Sequence, residues 1–314
     1  MTKKPKVTLV TSANMPGLFS DESGLPDALA ERGMDPQIAV WNDPTVDWDA
    51  AGVCVIRSVS DYATQRQEFI NWANSVPRLL NHADVMEWNT DKHYMKDLEA
   101  SGLPVIPTTW LEPSHGFSKH QVHSRFPALG DFVVKPAVSS GVRDIGRYTA
   151  IDTSQRQAAL AQTMELLDEG RSVMLQRYLE DIDVHGEVSL VFFNGLLSHA
   201  VEKRAVLHPS SVTDPSMHEA VVTARPADTA TWQWGEQIRQ VLHEYMRSRL
   251  GRDELLLYNR VDLVPDGEGS FRVMEVSLVD ADLYLEATPD ALGNFADAIS
   301  TRAFWCCLLY TSPS

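Results

Sequence analysis

Residues 132–141 read FVVKPAVSSG, and this stretch indicates the fold more directly than any other. An apolar strand pattern ends at Lys135, and a turn of small residues follows, with Ser139, Ser140 and Gly141 at its end. Such a turn lets backbone N–H groups approach phosphate oxygens, and the lysine supplies a positive charge. A surface lysine beside an ordinary hairpin fits the same letters, so the stretch alone leaves both interpretations open.

A second strand pattern, MLQRYL, covers residues 174–179. The end of such a strand offers backbone N–H and C=O groups, which suit the edge of an adenine ring. Asp183 and Glu187 come shortly after it, and an acidic residue there suits ribose hydroxyls. An edge strand with solvated acids is the alternative.

The third block is a hairpin of two alternating strands, RVDLV and VMEVS, across residues 260–277. Alternation places Arg260 and Asp262 on one face of the first strand, and Glu275 and Ser277 on one face of the second. Pairing of the strands brings these side chains together. Clustered carboxylates beside an arginine suit Mg²⁺ that carries nucleotide phosphates, whereas cross-strand charge pairs on a solvated face are the alternative.

The fold class predicted from these patterns is α/β (α+β). Residues 1–88 alternate strand and helix patterns, which favours an N-terminal domain with a small parallel sheet. The remainder, residues 89–305, is richer in hairpins and predicts antiparallel layers covered by helices. We expect irregular structure at residues 111–127 and 205–228, and a closing helix at residues 289–304.

Composition excludes several classes of protein. The 314 residues contain 27 Lys and Arg against 43 Asp and Glu, a formal net charge of −16. This balance argues against nucleic-acid and anionic-membrane binding, although a local basic pocket could still take phosphates. The three cysteines are too few for a disulfide framework or a four-cysteine zinc site and fit a cytoplasmic protein. No apolar run approaches the roughly 20 residues that span a bilayer.

The last nine residues, CCLLYTSPS at 306–314, differ in style from everything before them. They follow a helix that we expect to end near Phe304, and they resemble translated artificial sequence. We therefore expect residues 306–314 to be non-native, and sequencing the source DNA across this point would test it.

The three blocks, in this order, resemble the ATP-grasp superfamily over about residues 85–305. Within it, the chain is similar to the family that contains the D-cycloserine-forming O-ureido-serine cyclo-ligase. The resemblance implies an ATP-grasp fold behind the N-terminal parallel α/β domain, with a central lobe at about 108–180 and a C-terminal lobe at about 181–305. The matching stretches are VIRSVSDY at 55–62, FINW at 69–72, EWNTDKHY at 87–94, GLPVIPT at 102–108, KP at 135–136, RD at 143–144, GEVSL at 186–190 and SHA at 198–200.

Roles in nucleotide binding follow from the resemblance. Lys92 and Lys135 match the two lysines that grip the ATP phosphates, beneath a flexible loop. The residues that match this loop, the adenine segment and the ribose acid are Ser139, Ser140, Gly141, Gln176, Tyr178, Leu179 and Glu187, with Asp183 as a second ribose candidate.

The resemblance also implies a metal site and a substrate site. Asp262, Glu275 and Ser277 match the positions that bind Mg²⁺, one or two ions, with Mn²⁺ as an alternative. Arg260 and Lys135 match catalytic residues that neutralise the transferred phosphate. The positions expected near substrate are Arg57, Lys203 and Arg260.

This chain departs from the family at three places. Ser277 stands where the family usually has Asn or Glu, and a hydroxyl is a weaker metal ligand, although Asp280 lies close enough in sequence to compensate. Val59 stands where the family often has Trp. Residues 280–282 read DAD where a Glu-Pro-Ser-like stretch is common. The last two changes concern the substrate more than the ATP chemistry.

The function expected from the resemblance is an ADP-forming ligase that joins a carboxylate to an amine through an acyl phosphate, on a small amino-acid-like substrate. A cyclo-ligase of the D-cycloserine type is one form of it. A phosphotransferase and a non-catalytic ATP-binding protein are the alternatives. A homodimer or larger homo-oligomer is expected, with no nucleic-acid or membrane partner. Metal binding by His115, His120 and His123 is disfavoured, because their loop lacks cysteines and clustered acids.

Overall fold

The computed structural model describes residues 4–205, 207–208, 221–226, 228–267 and 270–310, with side chains as far as Cys306. It contains three β-sheets, each hydrogen-bonded within one part of the chain. The domain and lobe boundaries expected from the sequence stay a prediction.

The N-terminal sheet is parallel, as the sequence predicts. Its strand order is β2-β1-β3-β4. Successive residues of β3 point into opposite cores, Val53 and Val55 into one and Cys54 and Ile56 into the other, because helices cover both faces. The elements of this region are β1 (Lys6–Thr11), α1 (Leu25–Glu31), β2 (Asp35–Val40), β3 (Val53–Ile56), α2 (Arg66–Ser75), β4 (Leu79–Leu80), α3 (Ala83–Asn89) and α4 (Tyr94–Ala100).

The central sheet is antiparallel with strand order β5-β8-β6-β7. Its long helix is capped by the preceding residue, Asp152, whose carboxylate accepts the N–H groups of Ser154 at 2.8 Å and Gln155 at 3.1 Å. The elements are β5 (Thr108–Leu111), α5 (Lys119–His123), β6 (Asp131–Pro136), β7 (Gly146–Thr149), α6 (Thr153–Asp168) and β8 (Val173–Arg177).

The C-terminal sheet is also antiparallel, with strand order β11-β10-β9-β12-β13. Its apolar face packs on the long helix α8, where Ile238, Leu242 and Met246 are buried. The elements are α7 (Asp181–His185), β9 (Glu187–Phe193), β10 (Leu196–Lys203), β11 (Val222–Arg225), α8 (Thr229–Leu250), β12 (Tyr258–Pro265), β13 (Phe271–Ser277) and α9 (Ala291–Tyr310).

The N-terminal domain and the C-terminal lobe share a hydrophobic core. Val7 and Leu9 of β1 belong to the same cluster as Phe193 of β9 and Phe295 of α9. The boundary expected near residue 88 therefore separates two sheets but not two independent cores.

Two buried asparagines join the N-terminal domain to the C-terminal lobe. The Asn81 side chain donates to the carbonyls of Tyr258 and Leu278, both at 2.9 Å, and accepts the Leu257 N–H at 2.8 Å. Asn89 accepts the Leu278 N–H at 2.8 Å and donates to the Val276 carbonyl of β13 at 2.7 Å. These bonds fix the strands that carry the charged hairpin.

Three local expectations were wrong. The predicted loop at residues 111–127 contains α5, a helix too short for a periodic pattern, although Ser118 and Gln121 form a capping box that marks its start. Within the predicted irregular segment at 205–228, residues 206, 209–220 and 227 lie outside the described residues, and the described part contains β11, a largely exposed edge strand without an apolar run. The closing helix does not end near Phe304 but runs to Tyr310.

The expected non-native tail overlaps this helix. Cys306 lies partly buried against the core that the N-terminal domain and the C-terminal lobe share. Residues 311–314 lie outside the described part of the chain, and the origin of residues 306–314 stays a prediction. Among the residues that are described, no helix combines the length and the apolar character needed to cross a membrane.

Candidate active site

Strand register gathers the charged hairpin residues on one face of the C-terminal sheet. Asp262 of β12 pairs with Glu275 of β13, and Arg260 pairs with Ser277. On its other side, β12 places Asp262 opposite Ser189 of β9. The register shifts immediately after Asp262, at a β-bulge. The juxtaposition of these four side chains, expected from alternation, is confirmed.

Asp262 is the centre of a buried ion cluster. It is 1% exposed and accepts hydrogen bonds from Arg260 Nη2 at 2.8 Å, Lys203 Nζ at 3.3 Å and the Ser189 hydroxyl. Burial opposes its charge, but the two cations hold the pKa of Asp262 far below its ordinary value. The same attraction raises the pKa of Arg260 and of Lys203 despite their burial. All three groups are therefore charged at neutral pH.

Two lysines from different parts of the chain meet beside Glu275. Lys92 follows α3, and its Nζ lies 3.3 Å from Glu275 Oε1. Lys135 lies near the end of β6, and burial, reinforced by the charge of Lys92, lowers the pKa of Lys135 to about 8. Despite burial, Lys92 is the leading influence that lowers the pKa of Glu275. Two closely spaced cations with one carboxylate form a site suited to an anion.

The loop after Lys135 is held from three sides. Lys92 Nζ lies 3.4 Å from the Ser139 carbonyl and 3.2 Å from its hydroxyl, and the Tyr62 hydroxyl donates to the same carbonyl at 3.1 Å. The Ser140 hydroxyl donates to Asp280 Oδ2 at 2.8 Å. Gly141 has a φ of 62°, a left-handed conformation that glycine adopts without strain. Sequence reasoning did not identify Tyr62, because nothing local relates it to the loop.

The segment expected to contact adenine lies at the end of β8. Gln176 is buried and its side-chain amide donates to Thr108 Oγ1 at 2.8 Å. The Tyr178 N–H donates to the Asp131 carbonyl at 2.9 Å, and the Leu179 carbonyl accepts the Ile182 N–H at 3.0 Å. The Tyr178 N–H is therefore engaged within the sheet, so it is not the donor that an adenine edge would use.

Of the two ribose candidates, Asp183 is already committed to protein partners. Arg147 donates to both of its carboxylate oxygens, at 3.0 and 2.8 Å, and the Tyr178 hydroxyl donates at 2.6 Å. The Arg147 guanidinium also lies 3.5 Å from the centre of the Tyr178 ring. Burial opposes ionisation, but Arg147 lowers the pKa of Asp183. Glu187 pairs with Lys203 at 3.0 Å through one carboxylate oxygen, whereas both oxygens of Asp183 are engaged, so Glu187 is the candidate that we favour.

Arg57 is enclosed in the core that the N-terminal domain and the C-terminal lobe share. Its side chain is 0% exposed, its Nη2 donates to the Ala281 carbonyl at 2.8 Å, and its Nε donates to Glu22 at 2.9 Å. The rings of Tyr258 and Phe295 lie 5.0 and 5.2 Å from the guanidinium carbon. The geometry assigns Arg57 to the shared core rather than to the site surface, so the expected substrate role is not supported.

The positions expected to bind metal differ in the donor atoms that they offer. Asp262 and Glu275 offer the carboxylate oxygens that Mg²⁺ prefers, and water or phosphate commonly completes such a site. The Ser277 hydroxyl instead accepts from Arg260 Nη2 at 3.3 Å. Asp280 does not compensate, since its two oxygens accept from Ser140 and from the Val59 N–H. Across the described residues, no group of three His, Cys, Asp or Glu side chains could hold a metal by itself.

Comparisons with known proteins agree with this geometry. A family model for the N-terminal domain of the D-cycloserine synthetase DcsG matches residues 7–81. The cycloserine biosynthesis protein DcsG of Streptomyces lavendulae is 33% identical over 304 residues, which cover 94% of this chain and 98% of that protein.

Solved structures give the same result. The crystal structure of the D-cycloserine synthetase DcsG superposes with a TM-score of 0.81 at 32% identity, covering 95% of this chain and 99% of that one. A D-alanine–D-alanine ligase from Bacillus anthracis, complexed with ATP, gives a TM-score of 0.60 at 12% identity, covering 98% and 99%. The second match concerns the fold alone, and both confirm the ATP-grasp fold expected from the sequence.

Proposed function

Because this chain belongs to the D-cycloserine synthetase family of ATP-grasp ligases, we propose that it is an ADP-forming enzyme that joins a carboxylate to an amine nitrogen. The family relationship covers nearly the whole chain, so it includes the N-terminal domain as well as the nucleotide-binding lobes. The specific form that we propose is a cyclo-ligase. One molecule of an amino-acid-like substrate, such as O-ureido-serine, would carry both the carboxylate and the nitrogen that are joined.

One observation carries the proposal: Lys92 and Lys135 converge beside Glu275, next to the cluster of Arg260 and Asp262. Buried cations that outnumber their immediate carboxylates at one point favour binding of an anionic partner. The β- and γ-phosphates of ATP supply such a partner. We propose that the two lysines bind these phosphates beneath the loop of Ser139, Ser140 and Gly141.

The chemistry follows from the low reactivity of carboxylates toward amines. Transfer of the γ-phosphoryl group to a substrate carboxylate oxygen would release ADP and leave an acyl phosphate. The amine nitrogen would then attack the carbonyl carbon, lose a proton and expel phosphate. Lys135 and Arg260 neutralise the charge that the phosphoryl group carries as it moves, while the closed site excludes water. Mg²⁺ held by Asp262 and Glu275, as one or two ions, would add charge neutralisation and orient the phosphates.

On the substrate side, Arg260 and Lys203 support recognition of a carboxylate. Their side chains are 12% and 14% exposed, and both lie close to the ring of Tyr284, at 5.6 and 5.8 Å. We propose that they bind the substrate carboxylate before phosphorylation. Val59 is completely buried in a hydrophobic core and Asp280 is engaged by Ser140 and by the Val59 N–H, so neither of these replacements is assigned a substrate contact. A cytoplasmic homo-oligomer stays a prediction.

The test is release of ADP and phosphate by the purified protein with Mg²⁺, ATP and a panel of amino acids that includes O-ureido-D-serine. We expect release that depends on one panel member, together with an amide product by mass spectrometry. A Lys135→Ala preparation is the control for contaminating ATPase. A stable phosphoester formed without a nitrogen nucleophile would replace the proposal with the phosphotransferase. Nucleotide binding without release from any panel member would favour the non-catalytic alternative.

A further inference from the structure

Asp280 is a point at which three parts of the chain meet. It lies in the segment after β13, and its Oδ2 accepts the hydroxyl of Ser140, in the phosphate loop, at 2.8 Å. Its Oδ1 accepts the backbone N–H of Val59, in the N-terminal domain, at 2.8 Å. One carboxylate therefore joins the C-terminal lobe, the central lobe and the N-terminal domain.

The surroundings make these hydrogen bonds strong. Asp280 is largely buried, and burial, only partly offset by the bonds from Ser140 and Val59, raises the pKa of its carboxyl to about 6. Arg57 and Asp61 act on it with opposite signs, and the Tyr62 and Tyr258 hydroxyls lie close enough to interact with it. A hydrogen bond to a charged acceptor shielded from water contributes more than an exposed one.

The backbone at Asp280 is adapted to this position. Its φ is 53°, in the left-handed region that aspartate tolerates better than most residues. Only two amino acids would keep this backbone without much strain: glycine, which lacks the side chain, and asparagine, which keeps its shape. Substitution of Asp280 by glycine or asparagine can therefore test the role of the carboxylate without changing the backbone conformation.

The phosphate loop needs such a restraint. Residues 137–141 are small, so in isolation they would sample many conformations, and ordering them when ATP binds would reduce affinity. Besides Asp280, the N-terminal domain holds the loop through the Tyr62 hydroxyl bound to the Ser139 carbonyl. The loop is thus ordered before nucleotide arrives.

We propose that Asp280 is a positioning residue that holds the phosphate-binding loop closed, through Ser140, against the N-terminal domain. The role rests on the proposed function, since the loop matters because it covers ATP. It acts through Ser140 and not by contact with the reacting atoms. The same carboxylate fixes Val59, so it also couples the loop to a position where the chain departs from its family.

The test uses a Ser140→Ala, Asp280→Gly double-mutant cycle and two readouts. The first is the Kd of a nonhydrolysable ATP analogue with Mg²⁺. The second is the rate of tryptic cleavage at Arg143, on the exposed side of the loop, in the nucleotide-free protein. Each single variant should weaken analogue binding about tenfold, the size expected for one hydrogen bond to a charged group. The double variant should bind the analogue no more weakly than the weaker-binding single variant, because the two single substitutions remove the same hydrogen bond. Cleavage at Arg143 should be faster in all three.

Two further variants make the result specific. Asp280→Asn should restore binding to within about threefold, because its amide can accept from Val59 and donate to Ser140. Asp43→Asn is the control, since Asp43 forms a similar bond to Thr45 on the exposed surface, and it should match wild type. Additive effects of the two singles, or unchanged cleavage at Arg143 in both, would overturn the proposal. A wild-type protein that binds no analogue would instead count against the proposed function, while the cleavage rates would still decide the role of Asp280.

Discussion

Two buried arginines of this molecule, Arg57 and Arg260, differ in how their charge is used. Arg57 pairs with Glu22, and both side chains are completely buried between aromatic rings and backbone carbonyls. Arg260 pairs with Asp262, but it keeps 12% of its surface exposed and shares its carboxylate with Lys203. The sequence resemblance placed both arginines near substrate.

The difference shows that burial of charge alone does not identify a site. A closed pair has its donors engaged within the protein and can only stabilise or destabilise the fold. A cluster with residual exposure and surplus positive charge can still gain an anionic partner. Substitutions in the two clusters should therefore change different measured quantities.

The largest effect is expected in the closed pair. Glu22→Ala and Arg57→Ala should each lower the free energy of unfolding by about 3–5 kcal/mol, because each leaves one buried charge unpaired. A double Glu22→Met, Arg57→Met variant should recover most of this loss and retain turnover, as urea denaturation and an ADP-release assay would measure. A folded double variant without turnover would contradict the structural assignment of Arg57.

The opposite pattern is expected at the open cluster. Lys135→Ala and Glu275→Ala should lower turnover by about 10²–10³-fold, the size typical for loss of one electrostatic contact in a transition state. Their midpoints of urea denaturation should stay near that of wild type. Lys96→Ala is the matched control, because Lys96 is a largely exposed lysine that lies over the Trp110 ring. Wild-type ADP release by either folded site variant would refute the assignment.

A smaller effect should separate the two acidic residues near the ribose position. Glu187→Gln should raise the KM for ATP about tenfold, whereas Asp183→Asn should raise it less than about threefold, since each hydrogen bond is worth about 1 kcal/mol. The reason is that Arg147 and Tyr178 already occupy the Asp183 oxygens. Equal KM values for ATP in the two variants would contradict the different roles proposed for Glu187 and Asp183.

The smallest effect concerns a half-exposed charge network beside Lys92. Hydrogen bonding of His93 to Asp91 at 2.6 Å, and to Glu112 at 2.9 Å, raises the pKa of His93. A raised folded-state pKa gives stabilisation that is complete below the unfolded pKa, near 6.5, and is lost as pH rises through the folded value. The difference in urea midpoint between wild type and His93→Gln should therefore shrink from pH 6 to pH 9. A difference in urea midpoint that grows with pH would contradict this prediction.

The arrangement of the charged hairpin could be predicted from the sequence pattern, because it depends only on residues that are close together in the chain. The period of two in a strand determines that Arg260 and Asp262 share a face, and a hairpin determines which residues lie opposite. The same applies to Lys135, whose strand and turn are contiguous. These are the parts of the candidate site that the sequence could specify.

The remaining contacts join distant positions and leave no local pattern. Glu22 and Arg57 are 35 residues apart, and Ser140 and Asp280 are 140 apart. Arg57 follows a buried strand, as a residue of the active site would. Only the three-dimensional structure, in which Arg57 packs against Phe295 and pairs with Glu22, shows that it belongs to the core. Asp183 was ambiguous for the same reason, since Arg147 lies on a separate strand, β7.

The β-bulge after Asp262 gives the hairpin a strict dependence on length. Asp262 pairs with Glu275 on the charged face, whereas the next residue, Leu263, pairs with Val273 in the apolar core, so β13 accommodates one extra residue, Met274, at the bulge. A point substitution here alters one side chain, but inserting or deleting one residue would exchange the two faces of the strand beyond it. A shuffled gene library could therefore vary the hairpin at positions other than Arg260, Asp262 and Glu275, provided that every crossover keeps the residue count.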